Sequence, residues 1–263
     1  MKVIVCIKQV PDTKGGVQFN PDGTLNRAAM LTIMNPDDKA GLEAALRLKD
    51  QYGAEVTVLT MGLPKAADVL QEAIAMGADK GVLVTDRVLG GADTWATSTT
   101  IAGALRKLDY DLIITGRQAI DGDTAQVGPQ IAEKLHLPQV SYVEEVVEAA
   151  ADHVVVKRQF EDGYHIIKIK TPCLLTAIAE LATPRYMSVR GIVEAYEKEI
   201  KVLGFEDLKD GLELDMIGLK GSPTNVYQSF TKEVKGAGTI LEGLSADEAV
   251  KAIMDKLEAK FII

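Results

Sequence analysis

An α/β fold built on a mainly parallel sheet is predicted by three features of residues 1–140. Short apolar runs recur, beginning with Val3-Ile4-Val5-Cys6-Ile7, as strands buried on both faces require. Stretches with helical spacing separate these runs. Clusters of Gly, Pro, Asn and Asp punctuate the junctions. Strands alternating with helices in this way imply right-handed crossovers, and such sheets bind ligands beyond the carboxyl ends of their strands.

After the first strand, VQFNPDGTLNR is a polar excursion, and its Asn20-Pro21-Asp22-Gly23 centre reads as a hairpin turn. Asn35-Pro36-Asp37-Asp38 opens a helix. Asn suits the N-cap, Pro the first helical position, and acids the first turn. Leu42, Ala45 and Leu46 share one face, with Glu43, Arg47 and Asp50 opposite, and Gly53 closes the helix. A strand over 55–61, a helix from Lys65 to about Met76, and a strand over 81–85 follow. Next come a helix from Asp93 to Leu108, a strand over 111–115, and a helix from Thr124 to Leu135. The strand ends Cys6 to Val10, Met61-Gly62, Thr85 to Gly91 and Gly116 onward should converge on one crevice.

Beyond residue 140 the character changes. Val154-Val155-Val156, Glu161-Asp162-Gly163 and His165 to Ile169 read as a β-hairpin. CLLTAIA, 173–179, is another buried strand. After Arg185 the sequence turns polar and irregular, interrupted by Gly204, Gly211, Gly218 and Gly221. It ends in the capping box Ser245-Ala246-Asp247-Glu248, followed by a stripe of Val250, Ile253, Met254, Leu257 and Phe261. Such a segment either wraps around a partner or docks on its own sheet. The expected division is an α/β domain over 1–185 and a C-terminal arm over 186–263.

Composition narrows the functional classes. The formal net charge of -9 makes nucleic acid a poor partner. No apolar run approaches the roughly 20 residues that span a bilayer, so no membrane segment is expected. MKVIVCIKQV is too short and too quickly polar for a signal peptide, and a cytoplasmic location is expected. Cys6 and Cys173 lie in apolar runs and read as buried, reduced thiols. His136, His153 and His165 lack metal-ligand spacing, and there is no P-loop, GxSxG or HExxH. Any redox or transfer chemistry therefore falls to a bound cofactor.

Two loops carry candidate binding chemistry. GRQAIDGDTAQVG, 116–128, leads from a strand into a helix whose first turn offers unpaired N–H groups. A phosphate there gains about 0.3–2 kcal/mol from the helix dipole. A carboxylate ~4 Å from that phosphate would cost about 4 kcal/mol at an effective dielectric near 20. Asp123 is therefore expected as the helix N-cap, and Asp121 is expected to turn toward sugar hydroxyls or Arg117. Gly116, Gly122 and Gly128 permit close approach of a ligand. The alternative is a plain turn before a self-capped helix. In DRVLGGADTWATSTT, 86–100, Gly90-Gly91 could admit a flat ring or a second phosphate, and Asp93 can cap the next helix. The alternative is an ordinary loop and helix start.

The start VIVCIKQVPD, MNPDD at 34–38, AMGAD at 75–79, GRQAIDGDTAQVGPQIAE at 116–133 and PRYMSVRGI at 184–192 closely resemble the beta subunit of electron transfer flavoproteins. The likeness runs through nearly the whole chain. It implies an adenine nucleotide alpha hydrolase-like (Rossmann-like) fold and a heterodimer with an alpha subunit. It also implies a nucleotide in the crevice, AMP in conventional members and a second FAD in electron-bifurcating ones. Carried over by position, that site comprises Cys6, Asn35, Pro36, Asp37, Asp38 and Met61. It continues with Gly116, Arg117, Gln118, Ala119, Ile120, Asp121, Gly122, Asp123, Thr124, Ala125, Gln126 and Val127.

The stretch containing Gly90, Gly91, Asp93, Thr94 and Thr97 resembles the bifurcating group, which favours FAD over AMP. In that group, electrons from NADH divide between a low-potential acceptor, ferredoxin or flavodoxin, and the alpha-subunit FAD, which serves an acyl-CoA dehydrogenase. Pro184, Arg185, Tyr186 and Val189 match the family's recognition loop for the dehydrogenase. Val189 stands where many relatives carry a larger leucine. The C-terminal stripe resembles the arm that embraces the alpha subunit. A nucleotide-binding regulatory module like the universal stress proteins shares the fold, but such a module would stop near residue 160.

Overall fold

The computed structural model describes residues 1–12, 31–224, 227, 236 and 238–263. The turn expected at Asn20 to Gly23 lies outside the described residues. The chain divides into two units, Met1–Val226 and Tyr227–Ile263.

The first unit begins with β1 (Lys2–Cys6), β2 (Gln9–Pro11), β3 (Thr32–Met34) and α1 (Pro36–Tyr52). β4 (Glu55–Met61), α2 (Ala67–Met76), β5 (Lys80–Val84), α3 (Thr94–Leu105), β6 (Leu112–Gly116) and α4 (Val127–Leu135) complete the predicted alternation. β7 (Gln139–Ala149), β8 (His153–Phe160), β9 (Gly163–Lys170) and β10 (Cys173–Ala177) follow. α5 (Val189–Glu197), β11 (Ile200–Leu203) and the single turn α6 (Phe205–Leu208) come last.

The main sheet runs β11-β5-β4-β1-β6-β10-β7-β8-β9. β11 through β7 are mutually parallel, and β8 and β9 extend the sheet antiparallel. The sheet is open. β2 and β3 form a separate antiparallel pair.

Alternate residues of each central strand serve opposite faces. Val3, Val5, Leu112, Ile114 and Leu175 pack with Leu42, Leu46, Leu70 and Ile74 from α1 and α2. Ile4, Ile113 and Leu174 pack with Ile101, Leu105 and Ile131 from α3 and α4. Burying each such side chain contributes about 1.5–3 kcal/mol, and helix cover on both faces explains the unbroken apolar runs.

Four sequence expectations change. The helix expected from Lys65 begins as a 3-10 turn, Pro64–Ala66, before α2. β7 was not foreseen, because only its first residues are buried and its remainder alternates acids with valines. The helix expected from Thr124 begins at Val127, because Asp123 and Ala125 both take φ of 52°. That left-handed conformation is incompatible with an α-helical turn. Finally, the segment after Arg185 is not irregular. β11 pairs with β5 at the sheet edge.

In the second unit, α7 (Ala246–Glu258) carries the expected capping box. Ser245 Oγ accepts from the Glu248 N–H, and the Glu248 carboxylate accepts from the Ser245 N–H. Val250, Ile253 and Met254 on its apolar stripe are exposed.

Candidate functional site

From β1 the chain moves outward through β4 and β5, then crosses back to β6 on the other side of β1. The loops leaving β1 and β6 therefore diverge at their carboxyl ends, and an open α/β sheet has its binding crevice at such a point. α1 aims its N-terminus there.

Asp38, in the first turn of α1, is buried. Its Oδ2 accepts from the Lys8 N–H at 2.7 Å and its Oδ1 from the Gly116 N–H at 2.9 Å. One carboxylate thus fastens the ends of both strands. Burial pushes its pKa up to about 7, while Asn35 and the two N–H donors oppose that shift. A β-carbon at residue 116 would collide with Asp38 Oδ1 and lie 3.0 Å from the Asp37 β-carbon, so only glycine fits.

Asn35 is fully buried at the N-cap position, with Pro36 next, but its side chain does not cap α1. Instead its Nδ2 donates to Gln118 O at 2.8 Å and its Oδ1 accepts from the Ile120 N–H at 3.1 Å. The side chain clamps the loop rather than the helix. Asp37 Oδ2 is buried without a hydrogen-bond partner, and Arg117 Nε lies 3.5 Å away. Burial raises the Asp37 pKa, against the pull of Arg117. The Arg117 guanidinium in turn lies 5.6 Å from the Tyr142 ring centroid.

The two acids of the loop are held differently from expectation. Asp121 binds Lys8 Nζ through both oxygens, at 2.7 and 2.9 Å, and not Arg117. Asp123 is not the helix cap: its Oδ1 accepts from Gln118 Nε2 at 2.7 Å. Both carboxylates are thus engaged within the loop and its flank, which lowers their repulsion toward an anion. Lys8, at the carboxyl end of β1, was missed by the sequence reading, although a cation beside an acidic loop was its available signal.

Ala119 accepts from the N–H groups of Gly122 and Asp123, which closes a tight turn through Ile120 and Asp121. A β-carbon at Gly122 would meet nothing, so that turn is open to solvent. Among the described residues, the N–H groups of Thr124, Ala125, Gln126, Val127 and Gly128 meet no acceptor. Gly128 also brings α4 close to the sheet, since its β-carbon would lie 2.5 Å from Thr115 Oγ1.

Cys6 and Met61 end β1 and β4 beside this region. Burial pushes the Cys6 thiol up to about 12, with Asp38 adding to the rise, so it is no thiolate nucleophile. Cys6 and Cys173 are both free and buried, as expected.

The second loop joins the first through side chains. Thr94 Oγ1 donates to Gln126 Oε1 at 2.8 Å, and Ser98 Oγ donates to Gln130 Oε1 at 2.9 Å. Asp93 caps α3 as expected, accepting from the Ala96 N–H at 3.0 Å, and it also accepts from the Thr224 N–H at 3.0 Å. Its own N–H donates to Ser222 Oγ at 2.8 Å. These N–H groups outweigh its burial and hold its pKa below the usual range. Thr97 donates its N–H to Asp93 O. Gly91 has φ of 74°, and a β-carbon there would lie 3.1 Å from the Leu219 β-carbon. Leu219 in turn donates its N–H to Gly90 O at 2.9 Å. The segment ending at Thr224 therefore lies against the glycine pair.

Pro184, Arg185, Tyr186 and Val189 form a separate feature. Arg185 is drawn inward onto Glu43 and Asp50 of α1, whereas Tyr186 is 99% and Val189 81% exposed. Among the described residues there is no group of three His, Cys, Asp or Glu side chains that could hold a metal, and no helix long and apolar enough to cross a membrane.

An open, mostly parallel sheet with helices on both faces and a glycine-rich, amide-lined crevice at its reversal point defines a doubly wound α/β protein. The chain belongs to the electron transfer flavoprotein family, whose domain matches residues 22–208. It is 55% identical, over the full length of both chains, to the acryloyl-CoA reductase electron transfer subunit gamma of Anaerotignum propionicum. It is 53% identical, again over both full lengths, to an electron transfer flavoprotein subunit beta of Clostridium acetobutylicum. The caffeyl-CoA reductase-Etf complex subunit CarD of Acetobacterium woodii is 49% identical with the same coverage. An electron transfer role follows from this membership.

Proposed function

We propose that the chain is the beta subunit of a heterodimeric, electron-bifurcating electron transfer flavoprotein, with FAD bound in the crevice. The observation that carries the FAD site is the run of unspent N–H groups over Thr124 to Gly128, beside an open turn at Gly122. This donor set fits a pyrophosphate, because it is uncharged and preorganised and its neighbouring acids are already paired. When bound, FAD supplies the capacity to accept an electron pair and release single electrons.

The chain's own residues bind and orient. Asp38 and Asn35 fix the loop that bears the amides. Asp93, Thr94 and Thr97 shape the rim where a ring would lie. Lys8 neutralises Asp121 so that the acid does not oppose the phosphates. No side chain here is required to move a proton.

The bifurcating assignment draws on the relatives named for reductases of acryloyl-CoA and caffeyl-CoA, both unsaturated acyl thioesters. Their names support a partner of the acyl-CoA dehydrogenase class. NADH is then the donor, and ferredoxin or flavodoxin the low-potential acceptor. Tyr186 and Val189 are the outward side chains of the docking segment. The buried free thiols support a reducing, cytoplasmic location. The flavin count of the purified heterodimer tests the assignment. Two FAD per alpha–beta pair are expected; one FAD with one AMP would replace this reading with the conventional one.

A further inference from the structure

Glu43 lies in the middle of α1, only 4% exposed, where a carboxylate needs full compensation. Its partners are almost all supplied by one residue 142 positions away in sequence. The Arg185 N–H donates to Oε2 at 3.1 Å, Arg185 Nε to Oε2 at 2.8 Å, and Arg185 Nη2 to Oε1 at 3.2 Å. Arg47 Nε adds a bond to Oε1 at 3.3 Å. The same Arg185 Nη2 reaches Asp50 Oδ2 at 2.7 Å. Burial alone would raise the Glu43 pKa, but these donors outweigh it and hold the group ionised.

The chain is pinned again six residues later. Ser188 Oγ accepts from the Gly191 N–H at 2.9 Å and caps α5. A β-carbon at Gly191 would run into the Ala75 carbonyl oxygen of α2, so residue 191 sits hard against that helix. Between these anchors, Tyr186 and Val189 point almost wholly into solvent. Two large apolar side chains are thus displayed on a short segment fixed at both ends.

We propose that Glu43 is the positioning residue of this segment: it latches Arg185 to α1 and so holds Tyr186 and Val189 in a preformed docking geometry. Describing the segment as the docking site for a dehydrogenase rests on the function proposed above; the latch itself does not. Arg185 then acts inward, through Glu43, and not as a contact with the partner. A preordered segment loses less conformational freedom on association, which lowers the cost of docking.

The test is amide hydrogen exchange on the purified heterodimer, wild type against Glu43→Gln. A glutamine retains one acceptor but turns an NH2 group toward the guanidinium, so the charge-assisted bonds fail. Exchange at the Arg185 amide, whose acceptor is the Glu43 carboxylate, should rise about 10- to 100-fold, the range expected when bonds to a charged group are lost. Chymotryptic cleavage at Tyr186 should quicken in parallel, with exchange in β6 and the flavin content unchanged. Arg185→Met should loosen the same residues, and the double variant should be no looser than Glu43→Gln alone. Unchanged exchange at the Arg185 amide, acceleration spread through α1 and β6, or additive effects in the double variant would each overturn the latch. If the segment loosens while electron delivery to the dehydrogenase is unaltered, the latch stands and the docking assignment fails.

Discussion

Replacing Asp38 by alanine should release the two strand ends that frame the crevice. The carboxylate is the acceptor for the Lys8 N–H at 2.7 Å, in a part-buried bond, and for the Gly116 N–H at 2.9 Å, in a buried one. Each buried N–H left without an acceptor costs about 1–3 kcal/mol, so the variant should lose about 2–6 kcal/mol locally. Asp38→Asn retains one carbonyl oxygen and opposes the other N–H with an NH2 group, so it should lose about half of that, 1–3 kcal/mol. Native-state hydrogen exchange of β1 and β6 amides, corrected for intrinsic rates, measures both losses in the intact heterodimer.

The pH dependence has a definite sign. The folded pKa of about 7 lies above the ordinary 3.8, so between these values the folded state binds more protons than the unfolded one. Wild-type stability therefore falls as pH rises from about 4 to about 7, and the asparagine variant lacks that titration. The deficit of Asp38→Asn should be largest at the acidic end and smallest above neutrality. A deficit of Asp38→Ala within about 0.5 kcal/mol of zero, the scatter of neutral surface changes, would refute the two-strand fastening.

Three further outcomes follow from the same contacts. Gly116→Ala should destabilise by roughly 1–3 kcal/mol through overpacking against Asp38 and lose nucleotide on gel filtration, because the α1 terminus must retreat. Asp93→Ala removes a helix cap, costing about 1 kcal/mol, and also the anchor of Thr224. Ser222→Ala spares the cap, so thermal melts should separate the two, with Asp93→Ala the less stable. Tyr186→Ala and Val189→Asp should slow electron delivery to the dehydrogenase at least tenfold, as loss of about 1.4 kcal/mol at an exposed anchor does, with flavin content unchanged. Stopped-flow reduction with each variant measures this.

The sheet was legible because strands covered by helices on both faces must be apolar without interruption, as Val3 to Ile7 and Leu112 to Ile114 are. Asp93 was legible as a cap because nothing else competes for its carboxylate except a segment far away in sequence. Asn35 illustrates the limit. Its place at the start of α1 follows from local sequence, but its partners, Gln118 and Ile120, arrive only when β6 is laid beside β1. The start of α4 was misplaced because left-handed residues at Asp123 and Ala125 carry no side-chain signature when they are not glycine.

β7 and β11 escaped for a related reason. Each is half exposed, so its apolar pattern is diluted by Glu or Lys. Lys8 drew no reading of its own and Glu43 was placed on the polar face of its helix; only tertiary contact reveals what they neutralise. The strand ends after β1 and β6 were legible as one region from topology; the division of labour among its acids depended on packing.

The proposed FAD site depends on the main-chain donors at the start of α4. Hydrogen exchange at Thr124 to Gly128, compared between the loaded heterodimer and the same protein stripped of its nucleotide, measures those donors directly. Strong slowing at these amides in the loaded protein is the predicted result. Equal exchange in both forms, with protection elsewhere in the chain, would contradict it.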